Sequence, residues 1–263
     1  MIAGKIQSTE DLRYETFRKK EIVVVIVSFL LFLLSSAFVG LSPHNFLELP
    51  KMTKLFEFPN LSLLPRLLQA SLETLAIAYV STFMATVVSL FLGILAAKNL
   101  TPHVIVYYIA RTVIMIARTI PDIIWGLLLI AAVGLGAVQG VFAIAIHSTG
   151  MLGRFFAEAI EEIDPRPLEA LEIAGASYSQ KIVYGIIPQV LPAYINYTLY
   201  MFDHNVRAAI VLGMFGIGGL GFEFLIKLRL FEYDDVFAIL LAIFVLLFAV
   251  ERLSAYMRGK VMG

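Results

Sequence analysis

The feature that most constrains this chain is a run of about 20 residues, Ile22 to Leu41, without one charged side chain. As a helix such a run is about 30 Å long, the thickness of a bilayer's hydrocarbon core. Arg18-Lys19-Lys20 precede it and Ser35-Ser36-Ala37 resembles a small-residue cleavage site, so a secretory signal has to be weighed. The apolar core of a cleavable signal spans only about 7–15 residues. The run is therefore read as an uncleaved first span. Further apolar stretches follow at roughly 70–97, 104–133, 137–157, 186–206 and 235–254, which makes about six transmembrane helices in an all-α integral membrane chain. Another stretch, 208–226, holds five glycines and is read as a bent or re-entrant segment.

Composition agrees. With 60% hydrophobic and 15% charged residues and a mean hydropathy of +0.87, one soluble core of this size cannot hide the apolar surface. Zero net charge gives no bulk field for nucleic acid, and the absence of cysteine removes disulfides, thiolate catalysis and cysteine-ligated metal sites. The four histidines are scattered, and no metal centre is expected.

Positive charge sets orientation. Arg13, Arg18, Lys19 and Lys20 place segment 1–21 in the cytoplasm. Alternation from there puts Lys98, His103, the 158–185 loop and the tail with Arg252, Arg258 and Lys260 on the same side. Both termini are then cytoplasmic, and segment 42–66 is an extracytoplasmic connector. No internal repeat is visible, so a two-fold pore needs a second subunit.

The loop 158–188 reads EAIEEIDPRPLEALEIAGASYSQKIVYGIIP. Asp164 caps a helix start, with Pro165 or Pro167 where a missing N–H costs nothing. Gly175 suits the left-handed position that ends it. Ser177 with Gln180 makes a capping box for a second short helix, ending near Pro188. An ordinary well-capped connector has the same chemistry.

Ionisable groups at bilayer depth are functional suspects. Arg118 and Asp122 lie one turn apart in the third span, around Pro121, and read either as a structural pair or as pore lining. His147, beside Ser148 and Thr149, reads as a donor to an oxyanion or as a helix–helix tie. Asp203-His204-Asn205-Val206-Arg207 closes the fifth span, and Arg207 suits a tetrahedral oxyanion through paired N–H donors unless Asp203 or Glu223 neutralises it. Arg111 reads as a side chain snorkelling to the interface. Candidates for a substrate path are thus Arg118, His147, Ser148, Asn205 and Arg207.

Gly216-Ile217-Gly218-Gly219-Leu220-Gly221 satisfies GxGxxG literally, but it lies between membrane spans and not in a soluble βαβ unit. Gly216, Gly218, Gly219 and Gly221 are read instead as a gate or broken helix, or as close helix packing. Gly136-x-x-x-Gly140 and Gly93-x-x-x-Ala97 are packing pairs, at a dimer seam or within one subunit. There is no P-loop, no HExxH and no serine–histidine–acid set, so the chain is expected neither to bind ATP nor to catalyse.

Glu169-Ala170-Leu171, Gly175 and Ile187-Pro188 are similar to the signature of ABC importer permeases, in which Glu-Ala-Ala is followed by Gly at +6 and later by Leu-Pro. Leu171 stands where the signature has Ala, Gly185 replaces an apolar residue and Ile187 stands for Leu. The stretches 118–136, 140–150, 184–192 and 199–221 resemble phosphonate-type permeases, in a likeness covering about 67–258. Those permeases carry Arg where Met201 sits, Glu at Asp203 and Ala at Ile217. The resemblance implies a type I importer permease (MetI-like) fold over 67–258, with two short cytoplasmic coupling helices. It further implies a second copy of the chain, two ABC ATPase subunits that bind the ATP and Mg, an extracytoplasmic binding protein, and location in a bacterial inner membrane. The coupling residues would be Glu169, Ala170, Leu171, Gly175 and Pro188, with Leu171 fitting an ATPase groove shaped for a branched side chain. The implied cargo is a small anion, phosphonate or a related phosphorus oxyanion such as phosphate or phosphite. Two other readings stay open: a permease for another solute such as an amino acid, and an intramembrane enzyme using His147 with a carboxylate.

Overall fold

A computed structural model describes residues 3–40, 60–101 and 103–262, and divides the chain into two units, Met1–Lys54 and Leu55–Gly263. In the first unit, helix α1 (Ala3–Phe38) starts well before the apolar run. Its window Glu21–Phe38 has a hydropathy of 2.5 and no buried residue. Most of the expected connector 42–66 lies outside the described residues.

Every regular element among the second unit's described residues is a helix. A 3₁₀ turn (Leu61–Leu63) leads into α2 (Leu64–Ala96), which begins earlier than the apolar pattern suggested. Pro65 in its first turn allows that start, because no intrahelical N–H is lost there. The buried stripe of α2 is Ala70, Thr74, Ala78, Ser81, Thr82, Ala85, Ser89, Gly93 and Ala96 among others, nearly all small. The hydroxyls of Thr74, Ser81 and Thr82 donate back to carbonyls one turn earlier, so polar groups cross the apolar region satisfied. Small side chains let α5 (Ala137–Glu161) come close. A methyl on Gly93 would sit 2.8 Å from Phe156 Cβ, and one on Gly140 would strike Ile217. Both packing glycines therefore act within one protomer.

The stretch 104–133 is not one straight span. It is α3 (Val104–Thr119) and α4 (Asp122–Val133), bent by 86°. Pro121 pushes the residue before it out of the helical region, and Ile120 sits at ψ 120°. Pro121 also leaves the Ala117 carbonyl without its N–H partner. Trp125, the chain's single tryptophan, fills the gap with its indole N–H at 3.3 Å. The break also undoes the expected Arg118–Asp122 pair, since the two no longer share a helix. Asp122 instead accepts from the Ile123 N–H at 2.9 Å.

After α6 (Arg166–Ile173) a single turn, Tyr178–Gln180, passes through a π-helical turn, Lys181–Ile186, into α7 (Ile187–Leu212). The second short helix therefore does not stop near Pro188. It runs on into the span, with Pro188 in the first turn of α7. Beyond a second π turn, Gly213–Ile217, the chain bends by 53° into α8 (Gly219–Arg229), and α9 (Tyr233–Met262) completes the unit. Counting each bent pair as one span gives six among the described residues.

Two of the stretches expected on one side, the turn after α2 and the 158–185 loop, lie together. The Asn99 side chain donates to the Ile160 carbonyl at 2.7 Å, and Tyr178 Oη to the Leu100 carbonyl at 2.9 Å. Arg111 does not snorkel. It clamps the same junction, donating to the Ala96 carbonyl and to Glu161, both at 2.8 Å.

Candidate functional site

Two regions carry the candidate residues: the α6 turn at one end, and the polar positions where α2, α5 and α7 meet around the two helix breaks.

At the α6 turn, Asp164 accepts from the Arg166 backbone N–H at 3.0 Å and is gripped by the same residue's guanidinium. That side-chain pairing, then the backbone bond, holds its carboxyl below the usual carboxylate range. α6 ends in a Schellman motif: Ala176 N–H donates to the Leu171 carbonyl at 2.9 Å and Gly175 N–H to that of Glu172 at 3.0 Å. Gly175 takes φ 76°, the left-handed conformation expected of it. The capping box at Ser177 and Gln180 is complete in both directions.

α6 has no buried residue. Glu169, Ala170, Glu172, Ala174 and Gly175 are exposed, and Ile173 stands 90% exposed. Glu169 has no hydrogen-bond or ion-pair partner among the described residues. Leu168 and Leu171 are the exceptions to this outward face, and of the two it is Leu171 that departs from the signature. It turns toward the π turn, where a methyl on Gly185 would lie 3.0 Å from its Cδ1 and 2.6 Å from Leu168 Cδ2. The two departures from the signature therefore compensate each other: the larger residue at 171 fills the space left by glycine at 185. This corrects the expectation that Leu171 reports the shape of a partner's groove. Gly185→Leu is expected to cost about 1–3 kcal/mol through overpacking. Adding Leu171→Ala or Leu168→Ala should each recover part of it, Leu168→Ala more because its Cδ2 is the nearer atom, as double-mutant cycles by thermal unfolding would show.

In the interior, Ser148 Oγ donates to Asn205 Oδ1 at 2.8 Å, and Asn205 Nδ2 donates to Thr82 Oγ1 at 2.9 Å. Thr82 passes its own proton to the Ala78 carbonyl. Asn205 and Ser148 have no exposed surface. Two residues expected on a substrate path thus face each other and hold α2, α5 and α7 together.

His147 donates from Nδ1 to the Ile120 carbonyl at 3.1 Å, the donor role following because a carbonyl only accepts. This is the helix–helix tie, made at the α3–α4 break. The ring stacks on His204 with centroids 6.1 Å apart. Arg118 belongs to the same break: a methyl on Gly150, one turn after His147, would strike its backbone. Its Nε is buried with no hydrogen-bond partner among the described residues. Arg207 is half-exposed and pairs with Asp203 at 2.9 Å, while Glu223 pairs with Arg66 at 2.8 Å. Of the two expected neutralising partners, Asp203 is the one used.

The glycine run combines the two readings made of it. Gly216, Gly218 and Gly219 have φ of 98°, 105° and 71°, and they make the bend. Gly221 is helical and serves close approach: a methyl on it would strike the Ile210 carbonyl and crowd Gly213. The N-terminus of α8 is met by a pair that sequence reasoning passed over. Gly219 N–H donates to Glu73 Oε2 and Leu220 N–H to Thr74 Oγ1, both at 3.0 Å. The available signal was Glu73 itself, the one charge in the stretch 70–97. His204 and Thr82 were also missed; Thr82 carried no signal, because threonine is ordinary in a small-residue stripe.

The family described as binding-protein-dependent transport system inner membrane component matches residues 89–262. The chain belongs to this family. The permease is 42% identical over 187 residues to the phosphite transport system permease protein PtxC of Stutzerimonas stutzeri, covering 71% of this chain and 68% of that one. It is 39% identical over 194 residues to the phosphate-import permease protein PhnE of Mycolicibacterium smegmatis, covering 74% of this chain but 36% of that longer relative. Among solved structures its fold resembles inward facing conformations of the MetNI methionine ABC transporter, with a TM-score of 0.66 and 21% identity over 77% of this chain and 99% of that one. The MetI-like permease fold implied by Glu169 to Pro188 is therefore the fold found. The permease is an inner-membrane component of a transport system, with several apolar helices.

Proposed function

We propose that the permease carries a small phosphorus oxyanion (phosphite, phosphate or a phosphonate) into the cell, as a pair of copies driven by two ATPase subunits. An extracytoplasmic binding protein would deliver the substrate. The carrying observation is the α6 face. It is an exposed helix whose acid Glu169 has no partner among the described residues, with Ala170 beside it and a bare isoleucine at Ile173, tied by Asp164 at its start and by the Schellman turn at its end. A helix with no fully buried residue and one face open is suited to insertion into a groove of a partner. Closure of the ATPase pair would then move α6 as a lever and bias the spans between outward and inward access. The named cargo of the relatives supports the phosphorus reading over an amino-acid permease. His147 spends its Nδ1 proton on a backbone carbonyl and has no carboxylate partner among the described residues, which counts against the intramembrane enzyme.

Two measurements test this. Membranes containing the permease and its ATPase should yield a stable complex, and Gly175→Asp should abolish both the complex and uptake. The substitution forces a side chain into the left-handed position and adds charge beside Glu172. Retained complex and uptake in Gly175→Asp would remove α6 from the coupling role. For cargo, uptake of labelled phosphate should be competed by phosphite or methylphosphonate and not by methionine. The reverse order would assign the permease to amino acids.

A further inference from the structure

A carboxylate in an apolar span is costly unless something answers it. Glu73 lies nine residues into α2, and among the described residues no cation pairs with it. Its partner is a helix end. Gly218 precedes α8 and has no side chain with which to cap it, so the first N–H groups of α8 would be orphans. Glu73 and Thr74 supply the cap from the neighbouring helix, and the carboxylate also meets the positive end of the α8 dipole. The fit is close: a methyl on Gly218 would collide with the Glu73 carboxylate and one on Gly219 with the Thr74 hydroxyl. The glycines thus make the bend and also make room for this cap.

We propose that Glu73 is a positioning residue which, with Thr74, latches the α7–α8 hinge in the state seen here and releases it when the permease switches access. This rests on the transport reading above. The tie is built to be undone. It consists of two side-chain bonds to one helix end, and Glu73 is exposed at the protomer surface, so its side chain can turn away without opening a packed core. Thr74 keeps its own bond to the Ala70 carbonyl at 2.9 Å whether or not α8 stays. The neighbouring Arg66–Glu223 pair joins the same two helices, but Arg66 is 58% exposed, where such pairs hold weakly.

The test uses the assembled transporter in lipid nanodiscs with its ATPase and binding protein. It compares the wild type with Glu73→Ala and with Glu73→Gln, which keeps one acceptor oxygen. Amide exchange in the segment 213–224 should rise roughly tenfold in Glu73→Ala, the scale of a lost helix cap. ATP hydrolysis without substrate should rise with it, and substrate carried per ATP should fall. Glu73→Gln should lie between, and it carries the test if Glu73→Ala fails to fold. Unchanged exchange would show that Glu73 holds nothing. Raised exchange with unchanged coupling of hydrolysis to uptake would make it a static cap. Either result overturns the latch. If the wild-type chain neither binds an ATPase nor moves substrate, the transport reading fails by itself, while exchange still reports on the cap.

Discussion

Replacing Gly221 by alanine is expected to leave almost no folded permease in the membrane. The added methyl would run into the carbonyl oxygen of Ile210 and into Gly213, both of them backbone, across the bend between α7 and α8. A side chain in the way can change rotamer, but backbone in two packed helices can only move apart. Overpacking of ordinary cores costs about 1–3 kcal/mol, and a clash with backbone belongs at about 4 kcal/mol or more. Gly259→Ala is the control. That glycine is helical with nothing near it, so alanine should be neutral or stabilise by up to about 1 kcal/mol. Yield of monodisperse protein after extraction, and its melting in detergent, would measure both. Normal yield of Gly221→Ala would mean that α7 and α8 do not approach as described.

The second large effect is expected at Asn205. Truncation to alanine removes the acceptor of Ser148 and the donor to Thr82 at a site with no exposed surface, and leaves a hole between three helices. Interhelical hydrogen bonds in membranes are individually modest, so the bonds and the cavity together should cost about 2–3 kcal/mol. Combining Asn205→Leu with Ser148→Ala should recover part of this, because a fully apolar replacement leaves fewer orphans. The result separates two roles. A structural Asn205 lowers the melting temperature in every variant. A substrate ligand would lose uptake while melting normally, and that outcome would return Asn205 to the transport path.

The α6 turn was readable because its signals are local. Gly175 in the left-handed position and Ser177 with Gln180 at capping distance are relations within three or four residues, and the structure shows each in place. Leu171 was misread for the complementary reason. Its explanation is Gly185, fourteen positions on, and no spacing rule connects an α-helical residue to a glycine in a π turn. Pro121 announced a break in the third span, but not that Trp125 and His147 would take up the carbonyls it freed.

The sequence by itself determined that the chain lies in a membrane, roughly where its spans run, and where its capped polar turn falls. Hydropathy over a span's length and chemistry over one turn are enough for that. Only the tertiary structure decided which glycines bend the chain and which let helices meet, and that Arg207 is answered by Asp203. It also decided that Ser148 and Asn205 hold each other, and that Glu73 caps α8. Those pairs lie 57 and 146 residues apart in the chain. Their partners are set by how helices cross, because a polar group removed from water must take whichever donor or acceptor the packing brings within reach.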